Sequence, residues 1–157
     1  MLCAEDPHAI KLVDFGLSLK VPQNPDGSLQ ETLFKGFAGS KSYMAPEIFK
    51  EGAGYLGPPV DVWSLGVTIF ALVAGFFPLD EAGTSDKRFE RLKKDQRRGV
   101  GSCDSIHAFY GRACPFTRLL KQLLDAMLMI DPTQRITMAH VVAHDWFLRD
   151  DDGVVVT

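Results

Sequence analysis

The chain has 157 residues, 17 Lys and Arg against 20 Asp and Glu, a formal net charge of −3, and 46% apolar with 24% charged residues. That is ordinary soluble globular composition, with enough chain to bury roughly 70% of the unfolded surface, and it excludes an obligate disulfide scaffold. The odd set Cys3, Cys103 and Cys114 lacks paired metal-ligand spacing and fits a reducing compartment, cytoplasmic or nuclear, while Glu5, Asp6 and His8 rule out a signal peptide.

In chain order, Ile10-Lys11-Leu12-Val13 alternates after the turn-like Asp6-Pro7, so residues 1–13 read as a short β-hairpin. Residues 16–42 carry Pro22, Pro25, Gly27, Gly36 and Gly39 without a period and read as a long loop, a length uncommon unless functional. Pro46 stands at the first position of a short helix that Gly52 ends, and 52–59 reads as a glycine and proline linker. The uncharged run 62–77, between Asp61 and Asp80, approaches the length a bilayer needs. Gly75 and Pro78 stop it and no Lys or Arg cluster flanks it, so a helix over 60–74 is expected at the centre of a soluble core, not across a membrane. A charged amphipathic helix follows over 86–98, then a loop to Pro115. Phe116, Leu119, Leu120, Leu123, Leu124, Met127 and Leu128 keep the 3.6-residue period of a core-facing helix. Thr137 caps a last helix, with Ile136 and Val141 as its hydrophobic staple, before an acidic, disordered tail over 149–157.

Four motifs stand in a fixed order: Asp14-Phe15-Gly16 after an apolar strand, Ala45-Pro46-Glu47 after the long loop, Asp61-Val62-Trp63-Ser64-Leu65-Gly66 on the apolar helix, and Asp131-Pro132-Thr133-Gln134-Arg135 after the amphipathic one. Together they resemble the protein kinase family, over residues 1–148. The resemblance implies a mainly α fold, the C-terminal lobe of a kinase from its metal-binding strand onward: the short β-hairpin, an activation segment over 14–47, then about five helices. It makes Asp14 the ligand of Mg²⁺, whose preference for oxygen donors suits a carboxylate at a strand end, Phe15 the packing switch beside it and Gly16 the turn. Ser40 stands where serine/threonine kinases use a hydroxyl to fix the catalytic loop, and Ala45, Pro46 and Glu47 end the platform for the substrate. Asp61 is implied to accept hydrogen bonds from the catalytic-loop backbone. Glu47 and Arg135, 88 positions apart, are implied to form a buried structural ion pair, with Trp63 and Gly66 also structural.

The stretch Leu12 to Ser18 and the ending His144-Asp145-Trp146-Phe147 look similar to the calcium/calmodulin-dependent group, although Ala71 stands where some basophilic members carry a glutamate. The implied activity is transfer of the ATP γ-phosphate to protein Ser or Thr. ATP and Mg²⁺ would be the cofactors, a protein substrate and a regulatory protein the partners, with no nucleic acid and no membrane. That chemistry also needs a glycine-rich loop, a phosphate-binding lysine, a catalytic-loop Asp and an Asn for a second metal. The 13 residues before Asp14 hold none of them, so no catalytic residue is present and the chain is expected to be a partial, inactive kinase domain. The alternative is a non-catalytic interaction module or pseudokinase-like fragment.

Three other patterns carry blander readings. Gly52-Ala53-Gly54-Tyr55-Leu56-Gly57 fits a nucleotide-loop pattern but lacks the strand before it, so it reads as linker. His140 and His144 have zinc-site spacing on a helix without the glutamate base or a third ligand, and read as helix surface. The basic run 87–98 is interleaved with Asp86, Glu90 and Asp95 and reads as a solvated face. Finally, Gly36 occupies the usual phosphoacceptor position and has no hydroxyl, so packing of Leu33, Phe34 and Phe37, or a partner, is expected to order the segment.

Overall fold

A computed structural model of the chain describes residues 10–149. It divides into two units, Met1–Gln30 and Glu31–Thr157.

In the first unit a 3₁₀ turn, Phe15–Leu17, follows Asp14. Beyond it Gln23 and Leu29 form an antiparallel bridge around a tight turn. Asp26 accepts bonds from both the amide and the hydroxyl of Ser28 there, and Gly27 takes φ +84°. The hairpin expected over 1–13 falls mostly outside the described residues, and residues 11–13 form no regular element.

The second unit opens with β1 (Leu33–Phe34), which pairs antiparallel with β2 (Tyr55–Leu56) in the register Leu33↔Leu56 and Phe34↔Tyr55. Two expectations are corrected here. Residues 16–42 are not one structureless loop, and 52–59 is not a linker: it holds β2 and the first turn of α1 (Gly57–Ala74). Pro58 and Pro59 sit in that first turn, where missing N–H groups cost nothing because they have no intrahelical acceptor. Gly54 carries φ +69°, and a Cβ there would lie 3.1 Å from the Phe34 carbonyl, so the close strand pairing needs glycine.

On α1, Val62, Trp63, Val67 and Phe70 are buried, and Gly75 closes the helix in the left-handed region. The helix is long and apolar enough to cross a membrane by length and composition, with one third of it buried inside the protein. Leu72 and Val73 stay exposed near its end. Three further helices were expected and are found: α2 (Lys87–Gln96), capped by Asp86, then, beyond α3, α4 (Arg118–Met127) and the last helix, which is divided into α5 (Met138–Val142) and α6 (Asp145–Leu148). α3 (Ser102–Phe109) replaces much of the loop expected between 98 and 115. The glycines at 99, 101 and 111 hid it, because its start is capped from afar: Asp125 on α4 accepts the Cys103 N–H at 2.8 Å.

Two packed clusters hold this unit together. The larger joins Trp63, Val67 and Phe70 to Leu92, Ile106, Leu120 and Leu124. In the smaller, Val62, Leu123, Met127 and Val141 pack with Ile136, which puts both staple residues on the same core. The last helix is broken at Ala143 into α5 and α6, so His140 and His144 do not share one helix. His140 Nδ1 lies 2.8 Å from Thr137 Oγ1, and His144 Nδ1 accepts the Trp146 N–H at 3.2 Å to cap α6.

Candidate functional site

Asp14 sits in the first unit with φ 63° and ψ 73°, the one described non-glycine residue with positive φ. Asp tolerates that region because its short side chain bonds its own backbone, and here Oδ1 accepts the Gly16 N–H at 3.3 Å. A Cβ on Gly16 would stand 3.2 Å from the same oxygen, so glycine keeps the carboxylate uncovered. Phe15 is 67% exposed. A carboxylate turned out on a tight turn suits a hard divalent cation that takes one or two protein oxygens and fills the rest of its shell from nucleotide and water. No group of three or more His, Cys, Asp or Glu among the described residues could hold a metal by itself.

The second unit holds the other segment residues. Gly39 takes φ +100° and leads into a 3₁₀ turn over Lys41–Tyr43, with Ser40 at its N-cap but making no side-chain cap bond. The turn is pinned by contacts that leave no mark in the residue pattern. Ser64 on α1 donates to the Tyr43 carbonyl at 2.8 Å, Ser42 donates to the Asp80 carbonyl at 3.0 Å, and Lys41 pairs with Glu81 at 3.1 Å. Each joins residues 21 or more positions apart, where spacing carries no signal. Upstream, the Phe37 ring meets Phe49 at 5.8 Å and Phe34 meets Tyr55 at 6.3 Å.

Ala45 is fully buried, and Pro46 starts the 3₁₀ turn Pro46–Phe49 with its ring where no amide donor is required. Glu47 is buried and meets Arg135 in a two-pronged pair, Nη1 to Oε1 at 2.6 Å and Nη2 to Oε2 at 2.9 Å. The same guanidinium donates to the carbonyls of Pro59 at 2.7 Å and Met129 at 2.9 Å, and lies 5.1 Å from the centre of the Trp63 ring. One side chain therefore binds the end of the segment, the start of α1 and the loop after α4. The Trp63 indole N–H is the one fully buried side-chain polar atom left without a partner among the described residues.

Gly66 lets α1 and α4 close up: a Cβ there would stand 3.0 Å from Met127 Cβ. Asp61 lies on the open side of α1 near Pro58. No hydrogen bond from the described residues reaches its carboxyl, and partial loss of water around it raises its pKa above the ordinary Asp value. Beside the 41–43 turn, an open depression of about 700 Å³ is lined by Lys41, Asp80, Glu81, Arg88 and Tyr110 among others. Two of its cations are paired within it, Lys41 with Glu81 and Arg88 with Asp80 at 2.6 Å.

Comparison with known proteins matches residues 1–147 to the protein kinase domain family. The chain is 35% identical over 148 residues to the maternal embryonic leucine zipper kinase of Danio rerio, covering 94% of this chain and 19% of that protein. It is 34% identical over 146 residues to serine/threonine protein kinase OSK3 of Oryza sativa, covering 93% and 24%. To CBL-interacting protein kinase 9 of Oryza sativa subsp. japonica it is 36% identical over 146 residues, covering 92% and 28%. The chain thus spans less than a third of the length of each of these relatives.

Proposed function

The chain belongs to the serine/threonine protein kinase family, and from that premise we propose that it supplies part of the larger lobe of an enzyme moving the γ-phosphoryl group of ATP to protein Ser or Thr hydroxyls. The observation that carries this reading is the Arg135 fork on Glu47, which fixes residues 40–47 to the start of α1 as a firm platform for an extended substrate segment. Phosphoryl transfer is chiefly positioning and electrostatic stabilisation, so a platform held by buried, charge-assisted bonds is what this half of such an enzyme contributes.

In this reading Asp14 holds Mg²⁺, which neutralises charge on the phosphates when bound. Gly16 keeps the Asp14 carboxylate clear, and Phe15 packs beside it once the rest of the enzyme is present. The Ser40 hydroxyl, which makes no bond capping its own turn, and the Asp61 carboxyl, which has no partner among the described residues, fix the catalytic loop. A regulatory protein is a second partner, as the name of the CBL-interacting relative suggests for that protein. The unpaired Cys103 and Cys114 support action in the cytoplasm or nucleus. Neither nucleic acid nor membrane has a part.

Residues 1–157 by themselves bind nucleotide weakly and transfer no phosphate, because Asp14 is one metal ligand and the described residues offer no cradle for the phosphates. Two assays test the reading. Calorimetry of this chain with Mg-ATP should show no low-micromolar binding. In a chimera carrying the upstream half of a related kinase, Asp14→Asn should abolish transfer while leaving the melting temperature unchanged. Retained turnover in that variant removes Asp14 from the metal site.

A further inference from the structure

The end of α3 is built as a Schellman motif. Tyr110 is the C-cap, Gly111 takes φ +67° and donates its N–H to the Ala108 carbonyl at 3.2 Å, and the Arg112 N–H donates to the His107 carbonyl at 3.1 Å. Such a turn ordinarily seals itself with an apolar contact between the residue after the glycine and the one five positions before it. Here those two positions hold Arg112 and His107. Instead of sealing, they line a cavity of about 300 Å³ with Phe76 and Tyr110, at the lower end of the range of small-molecule sites.

The Tyr110 hydroxyl is taken, accepting an Arg88 N–H at 3.0 Å, but two polar groups on this cavity are uncommitted. His107 is only 4% exposed, set among the rings of Phe116, Phe70 and Phe76 at 5.0, 5.6 and 5.7 Å. Its Nδ1 lies 2.8 Å from the Cys103 carbonyl oxygen, which can only accept, so the neutral ring carries its proton on Nδ1 and presents a lone pair at Nε2. Nothing among the described residues bonds to Nε2. The Arg112 guanidinium has no carboxylate or carbonyl partner there either. Arg112 meets the last carbonyls of α3 with its backbone N–H alone.

We propose that this cavity binds a small planar aromatic carboxylate whose ring bears a hydroxyl or N–H group. The ring packs against Phe76 and Tyr110, the ring donor meets Nε2 of His107, and the carboxylate meets Arg112. The same chemistry is presented by a free aryl acid and by a peptide ending in tyrosine. None of Phe76, His107 and Arg112 belongs to the motifs behind the kinase reading, so this inference stands apart from it.

The test is a titration of the full chain, by calorimetry and ligand-observed NMR, with 4-hydroxyphenylacetate. Comparators are phenylacetate, cyclohexylacetate, 4-hydroxyphenylacetamide and the peptide Gly-Gly-Tyr. Saturable binding of the hydroxylated acid is expected, with phenylacetate and 4-hydroxyphenylacetamide each weaker by about tenfold, the cost of one lost contact, and cyclohexylacetate, which lacks both the hydroxyl and the aromatic ring, weaker still. Arg112→Ala should weaken the acid about tenfold, leave the amide unchanged, and leave the melting temperature unchanged because the residue is exposed. Tighter binding of Gly-Gly-Tyr than of the acid identifies a peptide terminus as the source, and the reverse order a free acid. No saturable binding at millimolar acid, equal binding of cyclohexylacetate, or indifference to Arg112→Ala overturns the proposal.

Discussion

The two ends of the stretch 14–47 are held by opposite means. At Asp14 the restraint is local: a carboxylate bonded to an amide two residues on, in an exposed turn. At Glu47 the restraint is a buried guanidinium 88 positions away, itself bonded to the backbone carbonyls of Pro59, Met129 and Ile130 and lying over the Trp63 ring. Local bonds in water are cheap to break and to re-form. A buried charge pair is not, because removing either partner leaves the other desolvated without compensation. The Asp14 end is thus suited to gripping and releasing a ligand, and the Glu47 end to staying put.

The largest expected effect comes from breaking the buried end. Arg135→Met leaves the Glu47 carboxylate buried and unpaired and removes the donor to Pro59 and Met129, costing about 3–5 kcal/mol. Thermal unfolding followed by circular dichroism should show a fall in melting temperature of roughly 10 °C. Adding Glu47→Leu should recover only part of the loss, since the carbonyls stay without a donor. Full recovery would reduce Arg135 to the partner of Glu47 alone.

Next in size is the packing that holds Trp63 and α1 in place for that pair. Gly66→Val would drive a branched side chain into Met127 and Leu128, at a cost of about 1–3 kcal/mol in denaturant unfolding. A neutral result would mean that α1 and α4 separate easily, and the Glu47 end would then be less rigid than its bonds suggest.

What was legible in the sequence follows the same division between local and distant restraint. The period of α4, the Asp86 cap of α2, the Thr137 cap with its staple, and the order of the four motifs are written in neighbouring residues, and so could be read directly. The hidden features depend on partners far along the chain. β2 and the first turn of α1 lie in a Gly-Pro-Pro stretch whose strand partner is Leu33–Phe34, 22 positions upstream. α3 starts at a glycine because its cap is Asp125, from α4. Residues 140 and 144 have helical spacing, yet Ala143 breaks the helix between them, and spacing alone cannot register that. In the candidate site, Glu47 and Arg135 were found through the family motif, whereas Ser64, Ser42 and Lys41 carry no mark of their contacts.

The distant cap on α3 gives a smaller effect with a pH signature. Burial raises the Asp125 carboxyl above its ordinary value, partly offset by the bond from the Cys103 N–H. The folded pKa therefore exceeds the unfolded one. The stability this group lends is fully present below the unfolded value and is lost as pH rises through the folded value. Asp125→Asn keeps an oxygen to accept the Cys103 N–H and removes the buried charge. The variant should match the parent at acid pH and be the more stable of the two at pH 7. Asp125→Ala loses the cap as well as the charge and should be less stable than the Asn variant by about 1 kcal/mol at every pH. A parent and Asn variant with parallel profiles would show that the Asp125 carboxylate is solvated.

The smallest stability effect belongs at the exposed end, and it separates structure from chemistry most sharply. Asp14 occupies the left-handed region, a strain of order 1 kcal/mol for a residue with a side chain. Glycine adopts that conformation freely but gives the unfolded chain more entropy to lose, by roughly 0.5–1 kcal/mol. The two terms oppose each other, and the Asp14 to Gly16 bond is long and open to water, so its loss adds little. Asp14→Gly should therefore shift the folding free energy by less than about 0.5 kcal/mol in denaturant titration. In the chimera with an upstream kinase half, the same change should remove phosphoryl transfer, because the turn survives and the carboxylate oxygens proposed to bind metal do not. A loss of several kcal/mol in this chain would place Asp14 among the residues that hold the fold, and the contrast with Glu47 would then fail.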